Sequence, residues 1–427
     1  MSFYVLFSFA SKYVKNSIHA SKPERSMKRA AENFPRLTLK SGRDRSVVNR
    51  HPWVFSGAVK SVEQAANGNI VQVCTNQGDV LGYGFFTDRS QIVCRLFHFT
   101  HPQEATPQVA EASYWHQKIA NAYALRKAKV LSARTNAYRL VHAEGDFLPG
   151  VIIDVYGDVA VLQILIKGAE YLCEHLVTGI QQLGIPYVYL KTKQNSGFLE
   201  DVTLSNQWLS PEPEGLLEIQ ENGLIFPVDV VNGQKTGFFI DQRENRALLQ
   251  SYASGKRVLN AFSYTGGFSV YALAGGAQEV HSVDISRQAV VMGDQAVERN
   301  FGTGAAHQSF AEDCFEYLRK TGEVYDLVVL DPPAFAKNAR SVPNAARGYK
   351  DLNYLGIKHI RPGGVIFTFS CSGNIDKDLF RKIVFSAAAD AARNVRILHQ
   401  LSQPIDHPIN IFHPEGEYLK GLVLHVE

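Results

Sequence analysis

Two short runs bring together residues able to do covalent chemistry: Leu330-Asp331-Pro332-Pro333 and Phe369-Ser370-Cys371-Ser372-Gly373. A thiolate adds readily to an electron-poor double bond, but a free thiol titrates at about 8.5 and must first lose its proton. A carboxyl group nearby, protonated or sharing a proton with a ring nitrogen, makes such a ring more electrophilic. Asp331 and Cys371 together therefore suit alkylation of a pyrimidine at C5, a carbon too unreactive until sulfur has added at C6. The plainer readings are a strand-ending turn capped by Asp331 and a buried cysteine acting as a small apolar side chain. Pro332 and Pro333 remove two backbone donors and fix an extended turn, which aims one carboxylate and one carbonyl at whatever lies over the sheet edge.

A second constellation reads as a ligand cradle. The run Asn260-Ala261-Phe262-Ser263-Tyr264-Thr265-Gly266-Gly267-Phe268-Ser269 follows an apolar segment and leads into a helical pattern. Its glycines let backbone approach a ligand at a helix N-terminus, where amide groups favour a carboxylate or phosphate. Asp284 ends the next strand, where an acid can accept from both ribose hydroxyls. Asp313, after the third strand, can reach an adenine edge or cap a helix. The candidate cofactor contacts are Asn260, Phe262, Tyr264, Thr265, Gly266, Asp284, Ile285, Asp313 and Asp331. The loop is not G-x-G-x-x-G, so a dinucleotide pyrophosphate is poorly served and a dehydrogenase loses ground. The Asp-Pro-Pro turn points the same way, since methyltransferases acting on planar nitrogenous groups use one and dehydrogenases have no need of it. Adenine N6 enzymes usually carry an aromatic residue directly after the prolines; Ala334 stands there and argues against that chemistry.

The elements that must hold these residues are strands and helices in strict alternation from Gly255 onward. Candidate strands are Arg257 to Phe262, Glu279 to Ile285, His307 to Phe310, Tyr325 to Leu330, Gly364 to Ser370, Val395 to Leu401 and Leu419 to Val426. This predicts a doubly wound parallel sheet. The last two strands lack a good helix between them, which predicts an antiparallel edge hairpin and separates class I methyltransferases from dehydrogenases. Upstream, short alternating segments from Arg36 to about Thr100 predict a small β-rich module. Residues 107–133 have the period of a connecting helix. A middle α+β region follows, in which Glu221-Asn222-Gly223 is the strongest hairpin signal. The expected divisions are 1–34 as an extension, disordered or due to a start codon placed too early with Met27 as the functional start; 35–105; 106–232; and 233–427.

A chain of 427 residues exceeds one ordinary core. Its net charge of +3 is mild, but between Arg36 and Lys60 six basic residues face one acid, Asp44, which makes a local electropositive patch. No apolar run approaches the roughly 18 residues of a membrane span. The five cysteines form no C-x-x-C pair, which argues against a disulfide framework or a zinc site and for a reducing, cytoplasmic setting.

In their order along the chain these motifs resemble the PUA-domain cytosine-5 methyltransferases of bacterial large-subunit ribosomal RNA, the RlmI type. The matches are Leu39-Lys40-Ser41-Gly42-Arg43, His51-Pro52-Trp53-Val54-Phe55-Ser56-Gly57, Lys235-Thr236-Gly237-Phe238-Phe239-Ile240-Asp241-Gln242-Arg243, the Asn260 to Ser269 loop, Asp331-Pro332-Pro333, Ser370-Cys371-Ser372, His413-Pro414-Glu415-Gly416 and Tyr418-Leu419-Lys420-Gly421. The resemblance covers about Arg36 to the end. It implies an α/β, Rossmann-like, seven-stranded class I methyltransferase domain preceded by a small β-rich PUA domain and a middle α+β domain. It implies S-adenosyl-L-methionine as cofactor, held by residues that include Gly266, Asp284 and Asp313, and Cys371 as nucleophile. The partner is then RNA, of the large ribosomal subunit, with no metal and no membrane; a homodimer is left open. Candidate RNA contacts are Arg43, Arg45, Arg50, Lys235, Arg243, Pro332 and Pro333. Many RNA cytosine-5 methyltransferases carry a second cysteine after the prolines, where Ala334 stands here, so the C5 proton leaves by another route. Related guanine methyltransferases share the Lys235 to Arg243 type of segment and the Asp-Pro-Pro turn but lack a cysteine like Cys371. Methylation of another base or another RNA, and a non-catalytic RNA-binding assembly factor, are the alternative readings.

Overall fold

The computed structural model describes residues 34–427 apart from 102, 104, 105, 193–200 and 337. The expectation for residues 1–33 lies outside them. The described residues divide into two compact units, one within 34–217 with 229–237 and 405–416 and the other of 218–228, 238–404 and 417–427.

In the first unit, β1 (Arg36–Leu39), β2 (Trp53–Phe55), β3 (Val59–Val62), β4 (Ile70–Cys74), β5 (Val80–Phe86) and β6 (Ile92–Phe99) form one sheet in the order β2-β6-β5-β4-β1-β3. Strand side chains alternate between faces, so Leu37 and Leu39 of β1 turn inward with Val71, Val73, Cys94 and Leu96 while Arg36 stays outside. A second sheet, ordered β11-β10-β9-β8-β7, contains β7 (Ala137–His142), β8 (Val151–Tyr156), β9 (Val159–Ile164), β10 (Tyr187–Leu190) and β11 (Gln207–Trp208). The expected connecting helix is real but shorter, Ala112–Lys129. It crosses the helix Cys173–Gln182 closely enough that a Cβ at Gly179 would come within 2.7 Å of the Ile119 side chain.

Buried polar bonds bring two late segments into this unit. Arg126 pairs with Asp146 and donates to the Asp406 carbonyl at 2.8 Å; Arg139 pairs with Asp154 at 2.7 Å, and Thr236 donates to the same carboxylate at 2.6 Å. Residues 233–237 and 405–416 were expected with the catalytic region. They group with the first unit, held there by hydrogen bonds to the Arg126 and Asp154 side chains, which leave no hydrophobic period to read.

The second unit opens with the expected hairpin, β12 (Glu218–Glu221) and β13 (Leu224–Pro227). Asn222 and Gly223 have φ of +52° and +85°, the two positive values that a type I′ turn demands. The sequence reading placed this hairpin in the middle region. Its partners are here instead: Glu221 forms two buried bonds to Arg246, at 2.8 and 2.7 Å, and Asn222 donates to the Tyr271 hydroxyl at 2.9 Å. A turn signal is local, whereas the docking of the hairpin is decided by a charge pair.

The remaining strands are β14 (Arg257–Ala261), β15 (Glu279–Asp284), β16 (His307–Ala311), β17 (Tyr325–Leu330), β18 (Ile360–Ser370), β19 (Val395–Leu401) and β20 (Lys420–Val426). They form one seven-stranded sheet, ordered β16-β15-β14-β17-β18-β20-β19. β14 to β18 run parallel, and β20 is antiparallel to both β18 and β19. This is the Rossmann-like α/β sheet that the alternation predicts, with the antiparallel pair at its edge. Strand order reverses between β14 and β17, and in such sheets the crevice beyond the strand ends at that point is where ligands bind.

Candidate active site

The loop after β14 is bent by residues in the left-handed region, Phe262, Tyr264 and Gly266, with φ of +60°, +46° and +74°. Such strain in non-glycine residues persists only where the surroundings hold it. The holds are visible: the Phe262 amide donates to Cys314 Sγ at 3.1 Å, and the Tyr264 amide to Asp284 Oδ2 at 2.9 Å. Gly266 caps the helix Gly267–Ala274, and a Cβ there would meet the Gly293 backbone at 3.2 Å. Asn260 is buried at the end of β14 and donates to Ser269 Oγ at 2.9 Å.

Three polar atoms in this loop, Asn260 Oδ1, Ser263 Oγ and Thr265 Oγ1, are buried without a hydrogen-bond partner. Each such group costs about 1–3 kcal/mol, a concentration that suits a polar ligand resting on the loop. Asp284 accepts from the amides of Tyr264 and Ser286, one on each oxygen, and a carboxylate retains lone pairs for two hydroxyls. Ile285 beside it is 73% exposed, an apolar surface suited to an aromatic base. These features fit S-adenosylmethionine. Asp313 is exposed and accepts from the Glu316 amide at 3.0 Å, so it caps the following helix.

Asp331 stands at the tip of β17, followed by a buried Pro332 and an exposed Pro333. Its Oδ2 accepts from Gln242 Nε2 at 3.0 Å, and Gln242 in turn accepts from Asn245 Nδ2 at 2.6 Å. Cys371 follows directly on β18, the strand paired with β17. The two serines around it are fully buried. Ser372 Oγ accepts from the Ala336 amide at 3.2 Å and lies 3.0 Å from the Tyr349 hydroxyl, which ties the cysteine loop to the loop after the prolines.

The cysteines divide by setting. Cys371 is half-buried, while Cys74, Cys94, Cys173 and Cys314 are buried. Burial pushes the Cys173 and Cys314 thiols up to about 12 and also raises Cys74. Those sulfurs stay protonated and serve packing.

Of the candidate RNA contacts, Arg43, Arg45 and Arg50 are exposed on the first unit together with Arg36, Lys40 and Lys60. The Arg50 guanidinium lies over the Phe99 ring at 5.1 Å. Lys235 is exposed at a φ of +49°. Arg243 is different: it is 4% exposed and donates to Glu244 at 3.2 Å, so its guanidinium is not offered to a phosphate. Its charge suggested a surface role, but the helix Arg243–Gln250 turns it inward. Gln242 and Lys420 were given no role from sequence, because Asp331 and Ser372, which they contact, lie far along the chain. Among the described residues there is no cluster that could hold a metal ion, and no helix is long and apolar enough to cross a membrane.

Residues 198–415 match the S-adenosylmethionine-dependent methyltransferase family, and residues 37–99 match a PUA-like domain. The chain is 40% identical over 405 residues to Ribosomal RNA large subunit methyltransferase I of Salmonella arizonae, covering 92% of this chain and 98% of that one. It is 41% identical over 403 residues to the protein of the same name from Cronobacter sakazakii, covering 92% and 99%. Among solved structures, a protein from Streptococcus mutans described as a SAM-dependent methyltransferase candidate superposes with a TM-score of 0.77 at 25% identity, over 92% of this chain and all of that one. A second such methyltransferase, solved in complex with SAH, gives 0.76 at 26% identity, over 92% and 100%. The chain thus belongs to the S-adenosylmethionine-dependent methyltransferase family, in the group named ribosomal RNA large subunit methyltransferase I.

Proposed function

We propose that the protein methylates C5 of a cytosine in large-subunit ribosomal RNA, through a covalent adduct at Cys371. The observation that carries this reading is the position of Cys371: half-exposed at the tip of β18, beside the strand that ends in Asp331, while the other four cysteines are buried. The names of the relatives support ribosomal RNA as substrate, which sets the work in the cytoplasm. The electropositive module of residues 35–105 is the part that grips RNA, with Arg43, Arg45 and Arg50 on phosphates, and Lys235 is a further contact. Pro332 and Pro333 shape the floor under the target base.

The bound cofactor supplies a methyl group on a sulfonium, open to displacement by a carbon nucleophile. Asn260, Phe262, Tyr264, Thr265 and Gly266 cradle it, Asp284 accepts from the ribose hydroxyls, and Ile285 and Asp313 border the adenine. Cys371 adds as thiolate at C6 of the cytosine, which forms the S–C6 bond and moves the C5=C6 electron pair toward C5 and the ring nitrogen. Asp331, oriented by Gln242, faces N3 and shares its proton as that charge grows. Once C5 carries the methyl group, its proton passes to a solvent base, the C5–H electron pair re-forms the double bond, C6–S breaks with its pair returning to sulfur, and the shared proton goes back to Asp331.

The test uses the whole protein, S-adenosylmethionine and large-subunit ribosomal RNA, both protein-free and as the assembling subunit, with nucleosides identified by mass spectrometry. 5-Methylcytidine is expected, and RNA carrying 5-fluorocytosine is expected to trap a denaturant-resistant complex with the wild type but not with Cys371→Ala. A different methylated base, or full activity in Cys371→Ala, overturns the proposal.

A further inference from the structure

A thiol must become an anion before it attacks carbon, and the fold places a buried cation beside this one. Lys420 opens β20, and in the antiparallel register of β18 and β20 it lies opposite Ser370, the residue before Cys371. The lysine is 3% exposed. Its Nζ donates to the carbonyl oxygens of Ser372 and Tyr418, each at 2.7 Å. An ammonium has three donors. Two are thus fixed on carbonyls, one of them belonging to the residue after Cys371, and the positive charge rests under the loop that carries the thiol. The strand reads Lys-Gly-Leu-Val-Leu-His-Val, and Leu422, Val423 and Leu424 are core residues. Packing alone has no use for a lysine at its head, since burying an ammonium is costly unless something compensates it.

We infer that Lys420 is a positioning residue for Cys371, its ammonium holding the sulfur as the thiolate that the covalent route needs. The inference rests on the proposed role of Cys371. Burial draws the Lys420 ammonium down to about 8; Cys371, then Glu417 and Asp376, pull it back up, and Lys377 pushes it down. Coupling between two titrating groups is reciprocal. Whatever the thiolate contributes to keeping the lysine's proton, the ammonium returns by favouring the thiolate. Tyr349, which also feels Cys371, is pushed up chiefly by burial and stays a neutral phenol.

With one proton between them, the pair exists as thiol and amine or as thiolate and ammonium. The two carbonyls select the second form, because bonds from a charged donor are the stronger ones. Lys420 keeps its proton through the reaction. The sulfur electron pair makes the S–C6 bond, and on release it returns to sulfur beside the same ammonium.

Alkylation of Cys371 by iodoacetamide, followed against pH, reads the thiolate without RNA, and the Cys371→Ser protein supplies the background from the buried cysteines. In the wild type the apparent thiol pKa is expected below the ordinary value of about 8.5. Lys420→Gln keeps amide donors for the carbonyls without the charge. It is expected to raise that pKa by a unit or more, slow alkylation at neutral pH about tenfold or more, and lower kcat with little change in KM for RNA, while Lys420→Arg recovers most of both. Circular dichroism and S-adenosylmethionine titration confirm a folded protein. Should Lys420→Gln not fold, Lys420→Met gives the same readout. A thiol pKa at its ordinary value in the wild type, or a profile unmoved by loss of the charge, overturns the inference. A shifted thiol in a protein that methylates some other base would instead defeat the proposed function alone.

Discussion

Gln242 donates its side-chain N–H to Oδ2 of Asp331 at 3.0 Å, although 89 residues separate them. Gln242 is itself fixed by Asn245, one turn into the helix Arg243–Gln250. That helix is anchored by the buried pair of Arg246 and Glu221. The carboxylate at the sheet edge is therefore aimed by a segment outside the sheet. Gln242→Glu sets a second acid against Asp331 where a donor stood. Losing a hydrogen bond so that its partner is left unsatisfied costs about 1–3 kcal/mol, or roughly 5–100-fold in rate. The expected result is a kcat lower by that factor with unchanged cofactor affinity, measured by methyl transfer and by calorimetry on the same preparation.

Gly266 tests the cradle. At its φ of +74° a side chain is strained, and a Cβ would press on the Gly293 backbone at 3.2 Å. Gly266→Ala is expected to weaken S-adenosylmethionine binding about tenfold, the effect of the 1–2 kcal/mol that a left-handed L-residue costs. Gly304, also a loop glycine, has open space around it. Gly304→Ala is expected to leave the titration unchanged.

The catalytic sheet was legible because strand and helix periods alternate cleanly there: β17 and β19 have the bounds that the apolar runs suggest. The hairpin at Asn222-Gly223 was legible for its turn chemistry, but its partner was not. Glu221 and Arg246 are ordinary surface residue types, and only the fold makes them a buried pair. The same limit applies to Lys420. One lysine before an apolar strand carries no sign of its neighbours until β20 is inserted between β18 and β19, since antiparallel insertion is a long-range choice. Arg243 misled in the opposite direction, because charge suggests exposure and the helix buries it.

The exposed basic module predicts an electrostatic component in RNA binding. Each phosphate contact on a single strand contributes about 0.7 to the slope of log affinity against log salt. Replacing Arg43, Arg45 and Arg50 together by Gln is therefore expected to flatten the slope by about 2 and to weaken binding most at low salt. Filter binding across a salt series measures both. A slope equal to that of the wild type would move the phosphate contacts to other residues.

His142 predicts an acid sensitivity of the first unit. Its Nδ1 lies 3.1 Å from Arg139 Nη1, and since a guanidinium can only donate, the imidazole accepts there and must be neutral. Burial, then the charges of Arg139, His407 and Arg126, hold it well below its ordinary 6.5, against a smaller opposing pull from Asp406. Above pH 6.5 neither the folded nor the unfolded chain protonates it, and its contribution to stability is complete. As pH falls below 6.5 the unfolded chain takes up the proton and the folded one does not. Stability is then lost at up to about 1.4 kcal/mol per pH unit, until the depressed folded value is reached. His142→Asn retains an acceptor for Arg139 but cannot titrate. Urea denaturation from pH 7.5 down to 5 should therefore show a shallower fall in stability for the variant than for the wild type. Parallel curves would mean that the folded protein takes up this proton as readily as the unfolded chain.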